Sequence, residues 1–374
     1  MTNASSVVVT GTGAVCGAGM APDDILDAIV AGRSAIRPIA QWDTTGWPCR
    51  IAAEIRRFQS ARAGRRSQAA QAHPPHRSRR ALRGRSRDRA VRHHRAIATR
   101  CRAGDAAVYS DRTGVYVGSG GGNYENQYDY FPLFAAAGGE LPAFGRELAN
   151  TVNPMWLLRT LPNNVLGHIG IKHGLKGSNA CITNHSVGGT LAVIEAFEAL
   201  RNGEADRAVA VGHETPIEPQ MVLYYHRLGL LATEMLRPFD ARHDGSLFGE
   251  GAGALVLETE ASAAARNAPV LGEILGGGYA CEAQGLAAIR DDGDGLARAI
   301  GQALDDAQLA PADVGMIVAH ANGTPQSDVS EAAAISARFR RLGSARHRLQ
   351  VGDRAHDRRR RNPRGRARAR RARA

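Results

Sequence analysis

Short apolar runs alternate along this chain with glycine-rich turns and with stretches of helical periodicity. The first run, from Val7, is VVVTGTGAV, and later runs are GVYVGSGGG, AVAVG, GALVLET and GMIVAH. Each run has the length of a buried strand. A turn of small residues is followed by helical spacing from Ser186 to Leu200, where Leu191, Ile194 and Phe197 recur on one face. Strands that alternate with helices predict a mostly parallel sheet with helices on both faces, which is an α/β fold.

Two arginine-rich passages interrupt this pattern, one from Arg62 to Arg102 and one from Gly343 to Ala374. They carry net charges of +13 and +11, so the rest of the chain carries −12 although the whole carries +12. A basic arm is typical of nucleic-acid binding, and a nucleic-acid-binding protein with such an arm is one hypothesis. Functional arms usually mix lysine with arginine, whereas Lys172 and Lys176 are the only lysines here.

The five cysteines and the distribution of apolar residues exclude several classes of protein. No two cysteines form a CxxC pair, which argues against a zinc site or a disulfide framework and favours a reducing compartment. No apolar run approaches the roughly 18 residues of a membrane span. The N-terminus lacks the basic region of a signal peptide. The sequence therefore predicts a cytoplasmic protein with no metal site and no membrane partner.

Two side chains are candidates for acyl-transfer chemistry. Cys181 comes just before the predicted helix at Ser186, where free N–H groups and the helix dipole stabilise a thiolate or an oxyanion. His320 ends the predicted strand GMIVAH, at the kind of strand end where α/β proteins form their sites. Taken alone, each pattern is also compatible with a structural role, as a small buried cysteine and as a loop histidine.

Five blocks of the sequence together resemble the β-ketoacyl-[acyl carrier protein] synthases of the thiolase-like superfamily. They are VVVTGTGAV, GVYVGSGGG, NACITNHSVGG, PFDARHDGSLFGEGAGALVLE and VAHANGTPQSDVSEAAAI, in that order. The resemblance implies a thiolase-like fold of duplicated αβαβα layers whose second half is truncated. It implies an N-terminal half over residues 1–260, with 62–102 anomalous, a partial C-terminal half over 261–338, and an anomalous tail over 339–374.

The resemblance also assigns roles to residues of the candidate site. Cys181 aligns with the nucleophile of the family, and His320 with the first histidine of its Cys-His-His site. Thr324 falls on a threonine that lines the pantetheine channel, and Glu331 on a structural acidic residue. The positions of Asn322 and Thr324 both belong to the His-Gly-Thr-x-Thr-Pro motif that lines the pantetheine channel in the family. Asn322 stands in place of the first threonine of this motif, which is a departure from the family pattern.

The reaction implied by the resemblance is that of a 3-oxoacyl-[acyl carrier protein] synthase in fatty-acid or polyketide synthesis. Cys181 accepts an acyl group, and malonyl-carrier then loses carbon dioxide and attacks the acyl thioester. The substrates are carried on phosphopantetheine of an acyl carrier protein, with no metal or organic cofactor, and a homodimer is expected. Alternatives are a non-condensing decarboxylase, a chain-length factor, which would not keep Cys181, or an inactive truncated product.

The two arginine-rich passages suggest a displaced reading frame. After Arg338 the family shows a lysine, a Gly-His pair and a Phe-Gly-Gly turn, and this chain shows none of them. Codons can be chosen for Arg346–Arg361 so that removal of the first base yields a lysine and a Gly-His pair. The chain as written is expected to condense slowly, because enolate stabilisation would depend on His320 alone. The codons of the gene test this hypothesis.

Overall fold

The computed structural model describes residues 6–55, 108–120, 131–151, 161–285 and 288–339 of the chain. In chain order, its helices and strands are β1 (Val7–Cys16), α1 (Pro22–Val30), β2 (Arg37–Pro38), β3 (Ile51–Ala52), β4 (Thr113–Ser119), α2 (Phe131–Ala136), α3 (Leu141–Thr151), α4 (Asn164–His173), β5 (Asn179–Ile182), α5 (Gly188–Arg201), β6 (Arg207–Glu214), α6 (Pro219–Arg227), β7 (Gly251–Thr259), α7 (Glu260–Ala265), β8 (Gly272–Ile274), α8 (Asp294–Asp306) and α9 (Pro325–Phe339). Short 3₁₀ turns span His185–Val187 and Pro311–Asp313.

Six strands form one mixed sheet in the order β5-β4-β6-β7-β1-β8. The pairs β4–β5 and β4–β6 are parallel, whereas β6–β7, β1–β7 and β1–β8 are antiparallel. The prediction of a mostly parallel sheet is therefore wrong, since three of the five strand pairs are antiparallel. Two consecutive strands are parallel only when the segment between them crosses over and returns the chain to the end of the sheet where the first strand began. The segment after β6 does not do so, and β7 returns in the opposite direction beside β6.

The helix α5 lies on the central strands and forms the main core with them. Its buried face consists of small residues and two large ones, Phe197 and Leu200, and it packs against Tyr116 of β4 and Leu257 of β7. The predicted helix from Ser186 to Leu200 is confirmed, although it begins at Gly188 after a 3₁₀ turn. Burial of Phe197 and Leu200 stabilises this contact by about 2 kcal/mol each.

A partly buried ion pair connects α5 with the C-terminal part of the described chain. Arg201 Nη1 donates to Asp306 Oδ1 at 2.7 Å, and the backbone N of Gly277 donates to Asp306 Oδ2 at 2.9 Å. Burial alone raises the pKa of Asp306, but the hydrogen bonds from Arg201 and Gly277 outweigh it and hold this pKa below its ordinary value. The end of α8 is thereby fixed to the end of α5.

The run GMIVAH, from Gly315 to His320, does not form a strand of the sheet. Its Met316 is 59% exposed and its Val318 is 75% exposed. A run of strand-forming residues becomes a strand only when a neighbour accepts its backbone hydrogen bonds, and no described strand lies beside it. Ile317 alone of this run forms a β-bridge, so the predicted strand is wrong apart from that single residue, and His320 lies in a loop before α9.

The two arginine-rich passages, Arg62–Arg102 and Gly343–Ala374, lie outside the described residues. Over the part of the chain that the structure does describe, none of the helices combines the length and the apolar character needed to cross a membrane.

Candidate active site

The carboxyl ends of three parallel strands meet at the candidate nucleophile. Cys181 of β5 lies opposite Val117 of β4 in the parallel ladder, and one step further Gly118 lies between Ile182 and Gly212. Binding and catalytic groups in α/β proteins gather outside such strand ends. Cys181 therefore has the backbone position expected of a catalytic residue.

Glycines let the N-terminus of α5 rest directly on these strand ends. A Cβ atom on Gly118 would overlap the carbonyl carbon and oxygen of Gly188, the first residue of the helix. A Cβ atom on Gly212 would lie 2.9 Å from the Cα atom of Gly189. Backbone thus packs against backbone at both points. The close approach fixes the helix N-terminus relative to the strand that carries Cys181.

Cys181 is half-buried, and no described residue forms a hydrogen bond with its thiol. Burial raises the pKa of the Cys181 thiol above its ordinary value. The expectation that a helix terminus holds this residue as a thiolate is not met, because Cys181 lies within β5 and the 3₁₀ turn His185–Val187 separates it from α5.

Alkylation of Cys181 by iodoacetamide is expected to be slow at neutral pH and to rise steeply as the pH increases. The thiolate is the reactive form, and a raised pKa moves its formation to higher pH. Peptide mass spectrometry of the alkylated chain, over a pH series, gives the profile for Cys181. A cysteine in a short peptide with blocked ends, under the same conditions, is the reference. A midpoint for Cys181 at or below that of the reference would contradict the burial effect.

The loop that carries His320 is held by a carboxylate of α9. Glu331 accepts hydrogen bonds from the backbone N of His320 at 2.7 Å and from that of Ala321 at 2.9 Å. Ala321 has φ of 51°, a left-handed conformation that a non-glycine residue adopts only when its surroundings hold it there. Glu331 is predicted as a structural residue near the site, and in the structure it binds the backbone of His320, the predicted catalytic histidine.

Asn322 and Thr324 lie in the same loop and contact each other. The Asn322 Oδ1 atom accepts hydrogen bonds from Thr324 N at 3.0 Å and from Thr324 Oγ1 at 2.9 Å. The Asn322 Nδ2 atom lies 3.2 Å from His320 Nε2. Thr324 is only 6% exposed, so most of its surface is covered by protein. The structure thus brings His320, Asn322, Thr324 and Glu331 together.

A second buried carboxylate, Asp328, joins this loop to a segment far away in the sequence. It accepts hydrogen bonds from the backbone N of Phe239 at 2.6 Å and of Gly323 at 3.1 Å, and it pairs with His243 Nδ1 at 2.9 Å. Asp328 is 2% exposed. The sequence pattern predicts no role in the site for Asp328 or His243. The signal available for Asp328 was its place in the first turn of a helix directly after the histidine loop.

A cavity of about 480 Å³ opens beside the N-terminus of α5. One part of its wall is apolar and is formed by the side chains of Pro216, Met221, Tyr225 and Phe248. The other part is polar and is formed by those of Ser119, Ser186, His213, Glu214 and Glu250. Burial lowers the pKa of His213, so its ring is neutral at pH 7. No sequence pattern marks His213 beyond its place at the end of the apolar run AVAVG.

No hydrogen bond within the described ranges joins Cys181 to the His320 loop. Cys181 belongs to β5 and its neighbours in the sheet, whereas His320 belongs to the group of side chains held by Glu331. The predicted site residues are therefore placed in two groups, one around the strand ends and one around the N-terminus of α9.

Two family models match the chain over most of its length. Residues 4–263 match the model described as "Beta-ketoacyl synthase, N-terminal domain", and residues 271–352 match "Beta-ketoacyl synthase, C-terminal domain". The chain belongs to the β-ketoacyl synthase family. The predicted membership and the predicted thiolase-like α/β fold class are confirmed.

Individual relatives agree with this membership. This ketoacyl synthase is 30% identical over 340 residues to the 3-oxoacyl-[acyl-carrier-protein] synthase 2 of Synechocystis sp., covering 88% of this chain and 76% of that protein. Among solved structures, the ishigamide ketosynthase/chain length factor has a TM-score of 0.69 and 28% identity, with 90% of this chain and 78% of that chain covered. A beta-ketoacyl synthase from Burkholderia phymatum has a TM-score of 0.67 and 27% identity, with the same coverages. The chain is thus similar to condensing enzymes.

Proposed function

We propose that this ketoacyl synthase is a 3-oxoacyl-[acyl carrier protein] synthase that forms an acyl thioester on Cys181 and condenses it with a malonyl thioester. The observation that carries the proposal is the position of Cys181 at the end of β5, beside an α5 terminus that is packed on β4 and β6 through Gly118 and Gly212. The family membership supports the same chemistry.

In the first step Cys181 exchanges its proton for an acyl group. Its Sγ atom attacks the carbonyl carbon of an acyl-carrier thioester, and a new S–C bond forms while the bond to the carrier sulfur breaks. The carrier thiol leaves with the proton that Cys181 loses. Backbone N–H groups that lack an intrahelical partner at the start of α5 are proposed to stabilise the oxyanion of the tetrahedral intermediate, although the 3₁₀ turn His185–Val187 lies between them and Cys181 in the sequence.

In the second step a malonyl thioester supplies the carbon nucleophile. The bond to its carboxylate carbon breaks, carbon dioxide leaves, and the electron pair remains as an enolate. The enolate carbon attacks the acyl carbonyl carbon on Cys181, and the Cys181 sulfur leaves as a thiolate that takes up a proton from the solvent. His320, which is exposed in the structure, is the side chain proposed to donate a hydrogen bond to the enolate oxygen.

The cavity beside α5 is proposed to hold the acyl chain. Its apolar wall, formed by Pro216, Met221, Tyr225 and Phe248, suits a hydrocarbon chain. The reaction needs no metal or organic cofactor, because phosphopantetheine carries both acyl groups.

The proposed partners are an acyl carrier protein and a second copy of this chain. A neighbour in fold, with a TM-score of 0.69 and 24% identity, is a type II polyketide ketosynthase in complex with its acyl-carrier protein. The strand β5 ends the order of the sheet, and no described strand pairs with its outer edge. Open edges of this kind are commonly covered by another chain, which supports a homodimer continued through β5. A cytoplasmic location is proposed with these partners.

Incubation of the purified chain with an acyl thioester of N-acetylcysteamine tests the first step. We expect intact-mass spectrometry to show one acyl adduct and peptide mapping to place it on Cys181. The variant Cys181→Ala should form no adduct, whereas Cys281→Ala, which removes an exposed cysteine, should label like the parent. Absence of an adduct from the parent chain, or equal labelling of Cys181→Ala, would overturn the proposal.

A further inference from the structure

The loop that carries His320 rests on the segment 236–245, which is far from it in the sequence. A Cβ atom on Gly323, whose φ is 82°, would lie 2.7 Å from the carbonyl oxygen of Gly245 and 2.9 Å from Cδ1 of Leu236. The loop therefore lies directly on the backbone of this segment. Because the contact leaves no room for a side chain, the groups that fasten the segment to the loop also set the position of His320.

The carboxylate of Asp328 fastens the two segments together. Its Oδ1 atom accepts a hydrogen bond from the backbone N of Gly323 at 3.1 Å, and its Oδ2 atom accepts one from the backbone N of Phe239 at 2.6 Å. Each oxygen has its own donor, so a rotation of the carboxylate weakens both hydrogen bonds at once. The orientation of this carboxylate therefore decides whether the loop stays in place.

His243 holds the carboxylate in this orientation. Its Nδ1 atom lies 2.9 Å from Asp328 Oδ2, and the two side chains are 19% and 2% exposed. Hydrogen bonds from N–H groups favour the ionised form of a carboxylate, which has no proton to donate, so Nδ1 carries the proton and donates. Within the described part of the chain, His243 is the only side chain that forms a hydrogen bond with Asp328.

The turn that carries His243 is itself fixed. The backbone N of His243 donates to the carbonyl oxygen of Asp240 at 3.0 Å, and Asp244 Oδ2 accepts from the backbone N and Oγ1 of Thr233 at 3.2 and 2.7 Å. The imidazole is thus presented to the carboxylate from a rigid support. We propose that His243 is a positioning residue that acts on His320 through Asp328 and Gly323.

The consequence for catalysis rests on the proposed condensation, in which His320 donates to the enolate oxygen. Without the Nδ1 donor, the buried carboxylate of Asp328 loses a partner and turns toward water or binds a proton. Gly323 then loses its acceptor, and the loop that carries His320 shifts. Acylation does not depend on this loop, because Cys181 belongs to β5 and no hydrogen bond between described residues joins it to the loop.

Three substitutions of His243 separate the donor from the bulk of the ring. His243→Asn places an amide N–H where Nδ1 lies, His243→Gln is one methylene longer and places its amide near the position of Nε2, and His243→Leu has no donor. We expect His243→Gln and His243→Leu to slow decarboxylation of a malonyl thioester by about 100-fold, the usual cost of a displacement of about 1 Å. His243→Asn should stay within about threefold of the parent chain, and acylation of Cys181 should stay within about twofold in all three variants.

Hydrogen exchange of the Gly323 amide, followed by nuclear magnetic resonance of the full chain, tests the same link without any substrate. Exchange should be about tenfold faster in His243→Gln and His243→Leu than their global stability, measured by urea unfolding, accounts for. It should match the parent in His243→Asn. The control His168→Gln, which changes an exposed histidine of α4, should match the parent in exchange and in both reaction steps.

Two results would overturn the proposal. One is a loss of decarboxylation in His243→Asn as large as in His243→Leu, because the donor would then not be what matters. The other is exchange at Gly323 that changes only with the global stability, which would indicate a merely structural role for His243. If the parent chain neither decarboxylates nor acylates, the proposed function fails, and exchange at Gly323 still decides whether His243 holds the loop.

Discussion

Gly118→Ala is expected to lower the free energy of unfolding by about 3 kcal/mol, at the upper end of the cost of overpacking a core. The new methyl group would overlap the carbonyl carbon and oxygen of Gly188, and the next nearest atom is the backbone N of Gly189. Backbone atoms cannot move aside as a flexible side chain does. The helix α5 must therefore lift from β4 or the strand must bend.

The same substitution should reduce acylation of Cys181 more than the loss of stability alone explains. Lifting α5 moves its N-terminal N–H groups away from the strand that carries Cys181, and displacements of about 1 Å in a catalytic arrangement cost about 100-fold in rate. Urea unfolding gives the stability, and adduct formation with an acyl thioester, measured well below the unfolding transition, gives the rate.

Gly13→Ala is the control for this experiment. Gly13 is also a strand glycine of the same sheet, yet no atom lies within 4 Å of the position of its Cβ. Its substitution should change the stability by less than about 1 kcal/mol and leave acylation unchanged. If Gly118→Ala behaved like Gly13→Ala, the backbone contact between β4 and α5 would not be the feature that positions Cys181.

The parts of the fold that depend on local sequence could be predicted. The spacing of Leu191, Ile194, Phe197 and Leu200 defines one helical face, and the structure places α5 over those residues. The position of Cys181 directly before this helix could be read from the same segment. Local signals succeed here because the periodicity and the glycine turn both arise within a few neighbouring residues.

Features that depend on distant partners could not be predicted from the pattern. The direction of β7 relative to β6 is set by the path of the chain between them, and the alternation of strands and helices carries no record of it. The exposure of Val318 shows the same limit, because its β-branched side chain indicates a strand that no described neighbour completes. The pairing of Asp328 with His243 joins α9 to a loop about 85 residues earlier, and the two segments contain no common sequence signal.

Asp328→Ala is expected to destabilise the protein by about 4 kcal/mol, since it leaves two buried backbone N–H groups without acceptors at a cost of roughly 1–3 kcal/mol each. These groups belong to Phe239 and Gly323, and His243 loses its partner as well. Phe239 has φ of 55°, so its backbone conformation is strained and depends on this bond. The loop that carries His320 should loosen together with the segment around Phe239.

Urea unfolding of Asp328→Ala, Asp328→Asn and Asp291→Ala measures this effect. Asn keeps one acceptor oxygen, so Asp328→Asn should fall between the parent and Asp328→Ala. Asp291 is exposed, and its substitution should cost less than about 0.5 kcal/mol. Hydrogen exchange should show faster exchange at Phe239 and Gly323 in Asp328→Ala, while the amides of α5 change only with the global stability. A loss below about 1 kcal/mol for Asp328→Ala would mean that water replaces the carboxylate, and the link between the two loops would then be weaker than its buried geometry indicates.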